Sequence, residues 1–291
     1  MLHFIANIKS GKGRGKKALQ KICAYCDKNN LAYTAHITKE PKHATRIAAA
    51  LCENGAQTIV AVGGDGTFSE VLNGITTKET AVGFIPAGRG NDYARAAHLN
   101  LNPVEALKDI LRGTIIYTDF IESSGSRCLN VAGTGLDVAV LERVQGKSGK
   151  ISYLKSLIWC VRHFTPYVLD ITVNGATTRH ECIMAGVCNG TSFGGGIKVS
   201  PASKIDDGLL DVIIMRLPQN GKIMPALLKF TKGRHLEMEY TTHIVCERVT
   251  VTPANPENPY PIQFDGEIQY GKTLSCAVVK GGLKTFKTKA D

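Results

Sequence analysis

The chain has 291 residues, of which 43% are hydrophobic and 21% are charged, and its formal net charge is +10 at pH 7. This composition is typical of a globular protein long enough for two domains. No apolar run reaches the roughly 18 residues that cross a bilayer, and the first residues lack the layout of a signal peptide.

Positive charge is concentrated near the N-terminus, where residues 1–30 contain seven Lys or Arg against Asp27 alone. Such an excess favours an anionic partner, either a nucleotide phosphate, an anionic membrane surface or nucleic acid. No helix-turn-helix or zinc-finger spacing occurs, so we expect no nucleic acid. Cys23 and Cys26 form a CxxC pair within a helical pattern, and we predict that they are core thiols in a reducing cytoplasm.

Strands and helices alternate along the first part of the chain. The pattern predicts strands over His3–Ile8, Ala32–Thr38, Thr58–Val62 and Ala81–Pro86, with helices over Arg14–Lys28, over Lys42–Asn54 and from Thr67 onward. Alternation at this spacing predicts a parallel sheet with helices on both faces.

Three polar loops follow strands of this sheet, and ligands of such sheets bind at the carboxyl ends of the strands. The loops are "NIKSGKG", "GGDGT" and "PAGRGNDYAR". In the second loop, glycines that lead into a helix start favour a phosphate site. Asp65 within it would repel phosphate unless a divalent cation lies between them. The stretch "GKGRGKK" does not fit the spacing of a P-loop.

After about Thr114 the sequence predicts consecutive strands with turns between them, and one helix in "KISYLKSLIWCVRHF". This pattern is typical of a mostly antiparallel β-rich domain. Three turn or loop clusters stand out there: "ASKIDDGLLDV", "NGTSFGGGIKVSP" and "QFDGEIQYG". A single Asp-Gly pair is most often a plain hairpin turn, so each cluster alone is a weak signal.

Taken together, these motifs resemble the diacylglycerol kinase catalytic family, in particular its soluble bacterial lipid kinases. The resemblance runs almost end to end. The motifs that carry it are GGDGT at Gly63–Thr67 with Glu70 and Asn73–Gly74, "PAGRGND" at Pro86–Asp92, "NVAGTGLD" at Asn130–Asp137, "KIDDGLLDV" at Lys204–Val212 and "DGE" at Asp265–Glu267. The resemblance implies an ATP-binding α/β domain over 1–118, joined by about 281–291, and a β-rich lipid-substrate domain over 119–280. It also implies an active site in the cleft between the two domains.

The resemblance further implies roles for particular residues. The stretches that match ATP-binding positions are Asn7, Ile8, Lys9, Ser10, Gly11, Thr38, Gly63, Gly64, Asp65, Gly66, Thr67, Phe68 and Ser69, together with Arg89, which replaces the usual threonine. Asp65 and Asp92 match acids that organise a catalytic magnesium ion through water. A second, structural cation would be bound by the carbonyl oxygens of Lys204 and Leu209 and the carboxylate of Asp207. Asp265 and Glu267 match the region of the general base, and the sequence does not choose between them.

The implied activity is ATP- and magnesium-dependent transfer of the γ-phosphate to a lipid hydroxyl, with diacylglycerol as the first candidate acceptor. We expect a cytoplasmic enzyme that touches the inner face of the membrane peripherally, and a homodimer is left open. The predicted helix in the second domain, with Leu154, Leu157, Ile158 and Val161 on one side and Trp159 nearby, is a candidate membrane contact.

Three other functions compete with this one. A soluble-substrate kinase of the NAD kinase type would need no lipid surface and leaves Asp265 and Glu267 unexplained. A non-catalytic nucleotide- or lipid-binding protein would have no need of a base. A Rossmann oxidoreductase is disfavoured because GGDGT lacks the G-x-G-x-x-G spacing and has an acid beside the phosphates.

Overall fold

The computed structural model describes residues 1–144, 150–218, 223–255, 257 and 259–288, with the backbone alone for 150–154, 223 and 224. The chain divides into two compact units. The first contains Met1–Phe120, Ile205–Asp207 and the chain from Val279 onward, and the second contains Ile121–Lys204 and Gly208–Val278. The predicted domain division stays a prediction, and its residues 289–291 lie outside the described part of the chain.

The first unit is built on parallel strands. These are β1 (Leu2–Ala6), β2 (Tyr33–Ile37), β3 (Thr58–Gly63) and β4 (Ala81–Pro86), in the order β2-β1-β3-β4. Ala6 is in register with both Ile37 and Val62, and Val62 with Ile85. The carboxyl ends of all four strands therefore lie at one edge, which confirms the predicted parallel sheet.

Five helices connect or follow these strands: α1 (Ser10–Lys28), α2 (His43–Glu53), α3 (Asp65–Gly74), α4 (Asp92–Ala96) and α5 (Pro103–Arg112). The backbone of α1 is left-handed at Gly11, Lys12 and Gly13, so its regular part begins at Arg14, as predicted. α3 begins at Asp65 rather than at the predicted Thr67. Gly64 is the extended residue before it, and a carboxylate in the first helical turn is stabilised by the helix dipole.

Apolar side chains cover both faces of this sheet. On one face, Phe4, Val60 and Ile22 are fully buried in a cluster to which α1 and α5 contribute. On the other face, the ring of Phe68 on α3 stacks on Phe84 with centroids 4.5 Å apart. In α1, Cys26 is buried and Cys23 packs against the first cluster, and all nine cysteines are free. This confirms the prediction of core thiols.

The second unit is a sandwich of antiparallel strands. The chain adds β5 (Ile115–Ser123), β6 (Ser126–Cys128), β7 (Val131–Gly135), β8 (Tyr167–Val173), β9 (Ala176–Cys182), β10 (Met184–Cys188), β11 (Leu210–Met215), β12 (Thr241–Cys246), β13 (Arg248–Pro253), β14 (Tyr260–Phe264), β15 (Glu267–Gly271) and β16 (Leu274–Phe286). One sheet has the order β12-β11-β10-β7-β14-β15. In the other, β13 pairs with β8 and with the first part of β16. The predicted antiparallel β-rich domain is confirmed.

Strands β5 and β16 each have residues in both units. The last part of β16 is parallel to β4 of the first unit, where Thr285 is in register with Val82. The first part of β5 is also in the first unit: Asp119 is almost fully buried there, and its carboxylate accepts a hydrogen bond from the N–H of Gly281 at 2.7 Å. The N–H of Asp119 donates to the carbonyl of Ile205 at 2.6 Å. Asp119 therefore joins three separate segments of the first unit.

Helices α6 (Leu136–Val144), α7 (Lys150–His163) and α8 (Ile223–Thr231) belong to the second unit, which also has a short 3₁₀ turn at His235–Glu237. The sequence predicted α7 alone of these. Leu157 and Val161 of α7 are buried in a cluster with residues of α6, α8, β10 and β11. Leu157 and Val161 are therefore core residues, Ile158 is partly buried against the same cluster, and the side chain of Leu154 lies outside the described residues. The membrane contact predicted for this helix stays a prediction. Within the described ranges, none of the helices is long and apolar enough to cross a bilayer.

Candidate functional site

The three polar loops predicted in the first unit come into direct contact. A Cβ added to Gly88 would lie 2.4 Å from the Cα of Gly64, and a Cβ added to Gly64 would lie 3.3 Å from Oγ of Ser10. A Cβ added to Gly11 would lie 2.2 Å from the carbonyl oxygen of Ala87. The glycines are required because the loop backbones pass too close for any side chain.

The first loop is held by its own hydrogen bonds. Oδ1 of Asn7 accepts from the N–H of Lys9 at 3.1 Å, and the carbonyl of Asn7 accepts from the N–H of Ser10 at the same distance. The N–H of Lys16 donates to the carbonyl of Ile8 at 3.2 Å. The chain thus curls back on itself before the regular part of α1 begins, and the basic side chains of this loop follow directly after β1.

Asp65 links the second loop to the third. Its Oδ2 accepts a hydrogen bond from the N–H of Asn91 at 2.7 Å, and its Oδ1 accepts from the N–H of Tyr93 at 3.3 Å. These two N–H groups stand on either side of Asp92, which is almost fully buried in the first turn of α4. The two acids that the sequence assigned to magnesium are thereby brought together.

The side chains at the other predicted nucleotide-binding positions differ in their exposure to solvent. Thr67 and Phe68 are buried, and the ring of Phe68 belongs to the core, so neither side chain is open to a ligand. Thr38 follows β2, with its N–H bonded to the carbonyl of Ala6 at 2.9 Å. Ser69 is partly buried and Arg89 is exposed.

The donors at Asp65 and Asp92 fit magnesium, which is typically held by one or two carboxylates and completed by water and phosphate oxygens. In the part of the chain that the structure describes, no group of three or more His, Cys, Asp and Glu side chains could hold a metal ion. A cation held by Asp65 and Asp92 would complete its coordination with water and with the phosphates of a bound nucleotide.

The predicted structural cation site lies in the turn before β11. Lys204 and Asp207 are exposed in this turn, and Gly208 has φ +75°. The donors of this cation site would be two carbonyl oxygens and one carboxylate. Hard cations such as Mg²⁺ and Ca²⁺ prefer such an all-oxygen set of ligands.

In the second unit, Asp265 is tied to backbone. Asp265 and Gly266, both with positive φ, form the two-residue turn between β14 and β15, as in a type I′ hairpin. The Asp265 carboxylate accepts hydrogen bonds from the N–H groups of Leu129, Asn130 and Val131 at 2.7, 3.0 and 3.1 Å. Burial raises the pKa of this carboxyl, and the three N–H groups oppose the shift.

Glu267, by contrast, is exposed at the first position of β15. A carboxylate in contact with solvent can exchange a proton with an acceptor molecule more readily than one that three amide groups already bind. The two acids that the sequence left equivalent therefore differ in exposure.

Asp137 was quoted in a motif but given no role by the sequence. It is almost fully buried, and burial raises its pKa to about 6. Nε2 of Gln263 donates to its Oδ2 at 3.2 Å, and Oε1 of Gln263 accepts from the N–H of Gly266 at 2.8 Å. A chain of hydrogen bonds thus connects Asp137 to the turn that holds Asp265. Burial of Asp137 depends on strand pairing far along the chain, so no local pattern could have revealed it.

Comparison with known proteins agrees with this architecture. The family model described as "Diacylglycerol kinase catalytic domain" matches residues 1–123, and that described as "YegS C-terminal NAD kinase beta sandwich-like domain" matches residues 130–286. The chain is 26% identical over 278 residues to the diacylglycerol kinase of Bacillus subtilis (strain 168), covering 93% of this chain and 90% of that protein. It is 30% identical over 297 residues to "Probable lipid kinase YegS-like" of Xanthomonas euvesicatoria pv. vesicatoria (strain 85-10), covering 95% and 94%.

Crystal structures show the same fold. One of a diacylglycerol kinase from Bacillus anthracis str. Sterne superposes with a TM-score of 0.73 at 21% identity, covering 98% of this chain and 96% of that one. Another from the same strain gives a TM-score of 0.80 at 24% identity, with the same coverage.

The chain therefore belongs to the diacylglycerol kinase catalytic family, together with its YegS-like relatives. It is a kinase, an enzyme of the phosphotransferase class.

Proposed function

We propose that this kinase transfers the γ-phosphoryl group of ATP to the hydroxyl of a membrane lipid, with diacylglycerol as the first candidate and phosphatidic acid as its product. The observation that carries the proposal is the meeting of three glycine loops at the carboxyl edge of the parallel sheet, with Asp65 bound to the peptides on both sides of Asp92. Phosphoryl transfer needs little beyond such positioning and charge neutralisation.

On the nucleotide side, the backbone of the loops at Asn7–Gly11 and Gly63–Ser69 would bind the phosphates, since close glycine backbones and helix starts favour anions. The basic residues at Lys9 and Lys12 add positive charge there. Asp65 and Asp92 would hold magnesium through water, and the ion would neutralise charge on the phosphates when bound.

On the acceptor side, Glu267 would take the proton of the lipid hydroxyl. The hydroxyl oxygen forms a bond to the γ-phosphorus, the bond from that phosphorus to the β–γ bridging oxygen breaks, and ADP leaves. Asp265 would position the turn that carries Glu267, because its carboxylate is occupied by three peptide N–H groups. The turn with Lys204, Asp207 and Leu209 would bind the second, structural cation.

The test is transfer of label from radiolabelled ATP to a panel of lipids in mixed detergent micelles, with and without magnesium. The panel contains diacylglycerol, monoacylglycerol, a sphingoid base and a long-chain alcohol. We expect one labelled lipid product that requires magnesium. Absence of any labelled lipid would overturn the proposal.

A second candidate is a soluble-substrate kinase of the NAD kinase type, which is favoured by the description of the family model that matches residues 130–286. The same assay with NAD and sugars in place of lipid separates the two, because a labelled NAD product without a lipid product would favour this alternative. If no acceptor is labelled although ATP binds, a non-catalytic nucleotide- or lipid-binding protein is the better description.

A further inference from the structure

Helices α6, α7 and α8 form a layer on one face of the six-stranded sheet of the second unit. Side chains alternate along its strands: Ile213 and Met215 of β11 face the helices, while Val212 and Ile214 face the other sheet. Because all three helices bury one side on the same sheet face, their opposite sides form a single outer surface. We refer to this as the outer helical face. Its described residues include Arg143, Lys155, Trp159, Arg162, His163, Leu228 and Lys229.

Trp159 is the central aromatic residue of the outer helical face. It is 44% exposed, although its neighbours Leu157 and Val161 on α7 are buried. The guanidinium carbon of Arg143 lies 3.7 Å from the Trp159 ring centroid, and the His163 ring stacks on it with centroids 4.3 Å apart. The indole is thus held between two basic side chains with much of its surface outward, an arrangement that suits the boundary between water and hydrocarbon.

The charge of this face is complementary to an anionic surface. Helices α7 and α8 carry Lys and Arg residues and no Asp or Glu. Two acids close by have partners: Glu237 pairs with Arg234, and Glu142 accepts a hydrogen bond from the hydroxyl of Tyr270, which is itself 67% exposed. Each basic residue near an anionic leaflet adds attraction that salt weakens.

Exposed apolar groups on the same layer also suit a contact with a membrane surface. Leu228 of α8 is 57% exposed, and Leu217, which precedes α8 in the chain, is 40% exposed. Beneath them, α7 and α8 share an apolar recess lined by Leu157, Val161, Leu227 and Phe230. Exposed apolar residues beside basic ones and beside an apolar recess are what an interfacial helix presents to a bilayer.

We propose that the outer helical face docks on an anionic lipid bilayer, with Trp159 inserted at the headgroup boundary and the flanking basic residues on the lipid phosphates. The inference deepens the proposed function and rests on it for its purpose, since docking would bring the second unit to its lipid substrate. Docking itself requires neither ATP nor turnover, so the two proposals can fail separately.

Trp159 is the only tryptophan in the chain, which also has nine tyrosines, so fluorescence excited selectively in tryptophan reports on this position alone. Wild-type protein is titrated with vesicles of phosphatidylcholine, and with vesicles of equal parts phosphatidylcholine and phosphatidylglycerol, without ATP. We expect a blue shift and quenching by brominated acyl chains with the anionic vesicles, both reduced by salt. No shift and no quenching would overturn the proposal.

Variants are compared by co-sedimentation with the anionic vesicles. Trp159→Ala should lower the partition coefficient about tenfold, because it removes apolar area that the bilayer would bury, and Arg162→Gln about fivefold. The matched controls are Tyr117→Ala, an aromatic residue that is 57% exposed in the first unit, and Lys28→Gln at the end of α1. Both controls should bind as wild type.

If Lys28→Gln weakens binding as much as Arg162→Gln, the basic N-terminal region is the docking site and the proposal is wrong. Circular dichroism melts of all variants identify any that lose their fold. Lipid phosphorylation is measured separately in detergent micelles, where Trp159→Ala should retain wild-type activity. Loss of phosphorylation with vesicle binding intact would count against the proposed function and not against docking.

Discussion

The carboxylate of Asp65 accepts a hydrogen bond from the peptide N–H of Asn91, with 2.7 Å between Oδ2 and N. This contact joins the loop after β3 to the loop after β4. Asn91 itself has the left-handed φ of 53°, and its Oδ1 accepts from the N–H of Gly88 at 2.9 Å. The acid within the glycine turn is therefore part of the framework that shapes the site as well as a candidate ligand for a cation.

Asp65→Asn should impair both stability and magnesium dependence. The amide can accept only through its oxygen, so one of the two N–H groups that the carboxylate binds is left facing an NH₂ group, at a cost of about 1–3 kcal/mol. We expect a lower melting temperature, weaker Mg-ATP binding in calorimetric titration and loss of turnover. Glu105→Gln, which alters an exposed pair with Lys108, is the control. Wild-type magnesium dependence in Asp65→Asn would refute the metal assignment.

Gly88→Ala should disrupt the meeting of the loops, whereas Gly66→Ala should not. The new Cβ at residue 88 would lie 2.4 Å from the Cα of Gly64, while one at residue 66 would meet nothing within 4 Å. Overpacking of this kind typically costs about 1–3 kcal/mol. Denaturant unfolding of the two variants tests this. Equal stability of the two variants would show that the close approach has no role.

Glu267→Gln should abolish most turnover without a change in stability or Mg-ATP affinity. Removal of a general base lowers the rate by about 10²–10⁴-fold, and an exposed residue has little effect on folding. Asp265→Asn should instead lower the melting temperature, since an amide cannot satisfy all three N–H groups of Leu129, Asn130 and Val131. A larger rate loss in Asp265→Asn at unchanged stability would make Asp265 the better candidate for the base.

Because of Asp137, the free energy of unfolding should fall as the pH rises from about 4 to above 6. Its pKa of about 6 in the fold exceeds the ordinary value of 3.8, so the folded state favours the protonated acid. The stability that it contributes is fully present below the ordinary pKa and is lost as the pH passes through about 6. Two pKa units correspond to about 3 kcal/mol.

Asp137→Asn should therefore flatten this dependence and raise the free energy of unfolding near pH 7, as measured by urea denaturation between pH 4 and pH 8. The contrasting variant is Asp170→Asn, because a hydrogen bond from Arg179 lowers the pKa of Asp170. That variant should lose stability near neutral pH. An unchanged pH profile in Asp137→Asn would show that the buried acid is not the cause.

Asp207→Ala should lower thermal stability and activity together if the turn before β11 binds a structural cation, since a bound ion stabilises the folded state. A chelator should lower the melting temperature of the wild type by a similar amount and leave that of Asp207→Ala unchanged. Asp206→Ala, an exposed acid in the same turn, is the control. If chelation has no effect on the wild type, the cation proposal is wrong.

The sequence by itself determined the order of strands and helices from β1 to β4, because period-two and helical patterns with glycine boundaries are local properties. It also determined the parallel sheet and the antiparallel character of the second unit. It did not predict the helices α4 and α5. It placed Asp65, Asp92, Asp265 and Glu267 in motifs whose ordered set indicated a kinase family that the comparisons confirmed.

Only the tertiary structure decided what those residues touch. The bond from Asp65 to Asn91 spans 26 residues, and those from Asp265 to Leu129, Asn130 and Val131 span more than 130. No local pattern contains such contacts. The same reason applies to α7, whose apolar residues predicted a membrane contact. Its sequence could not show that α6, α8 and the six-stranded sheet bury Leu157 and Val161, which leaves Trp159 to face outward.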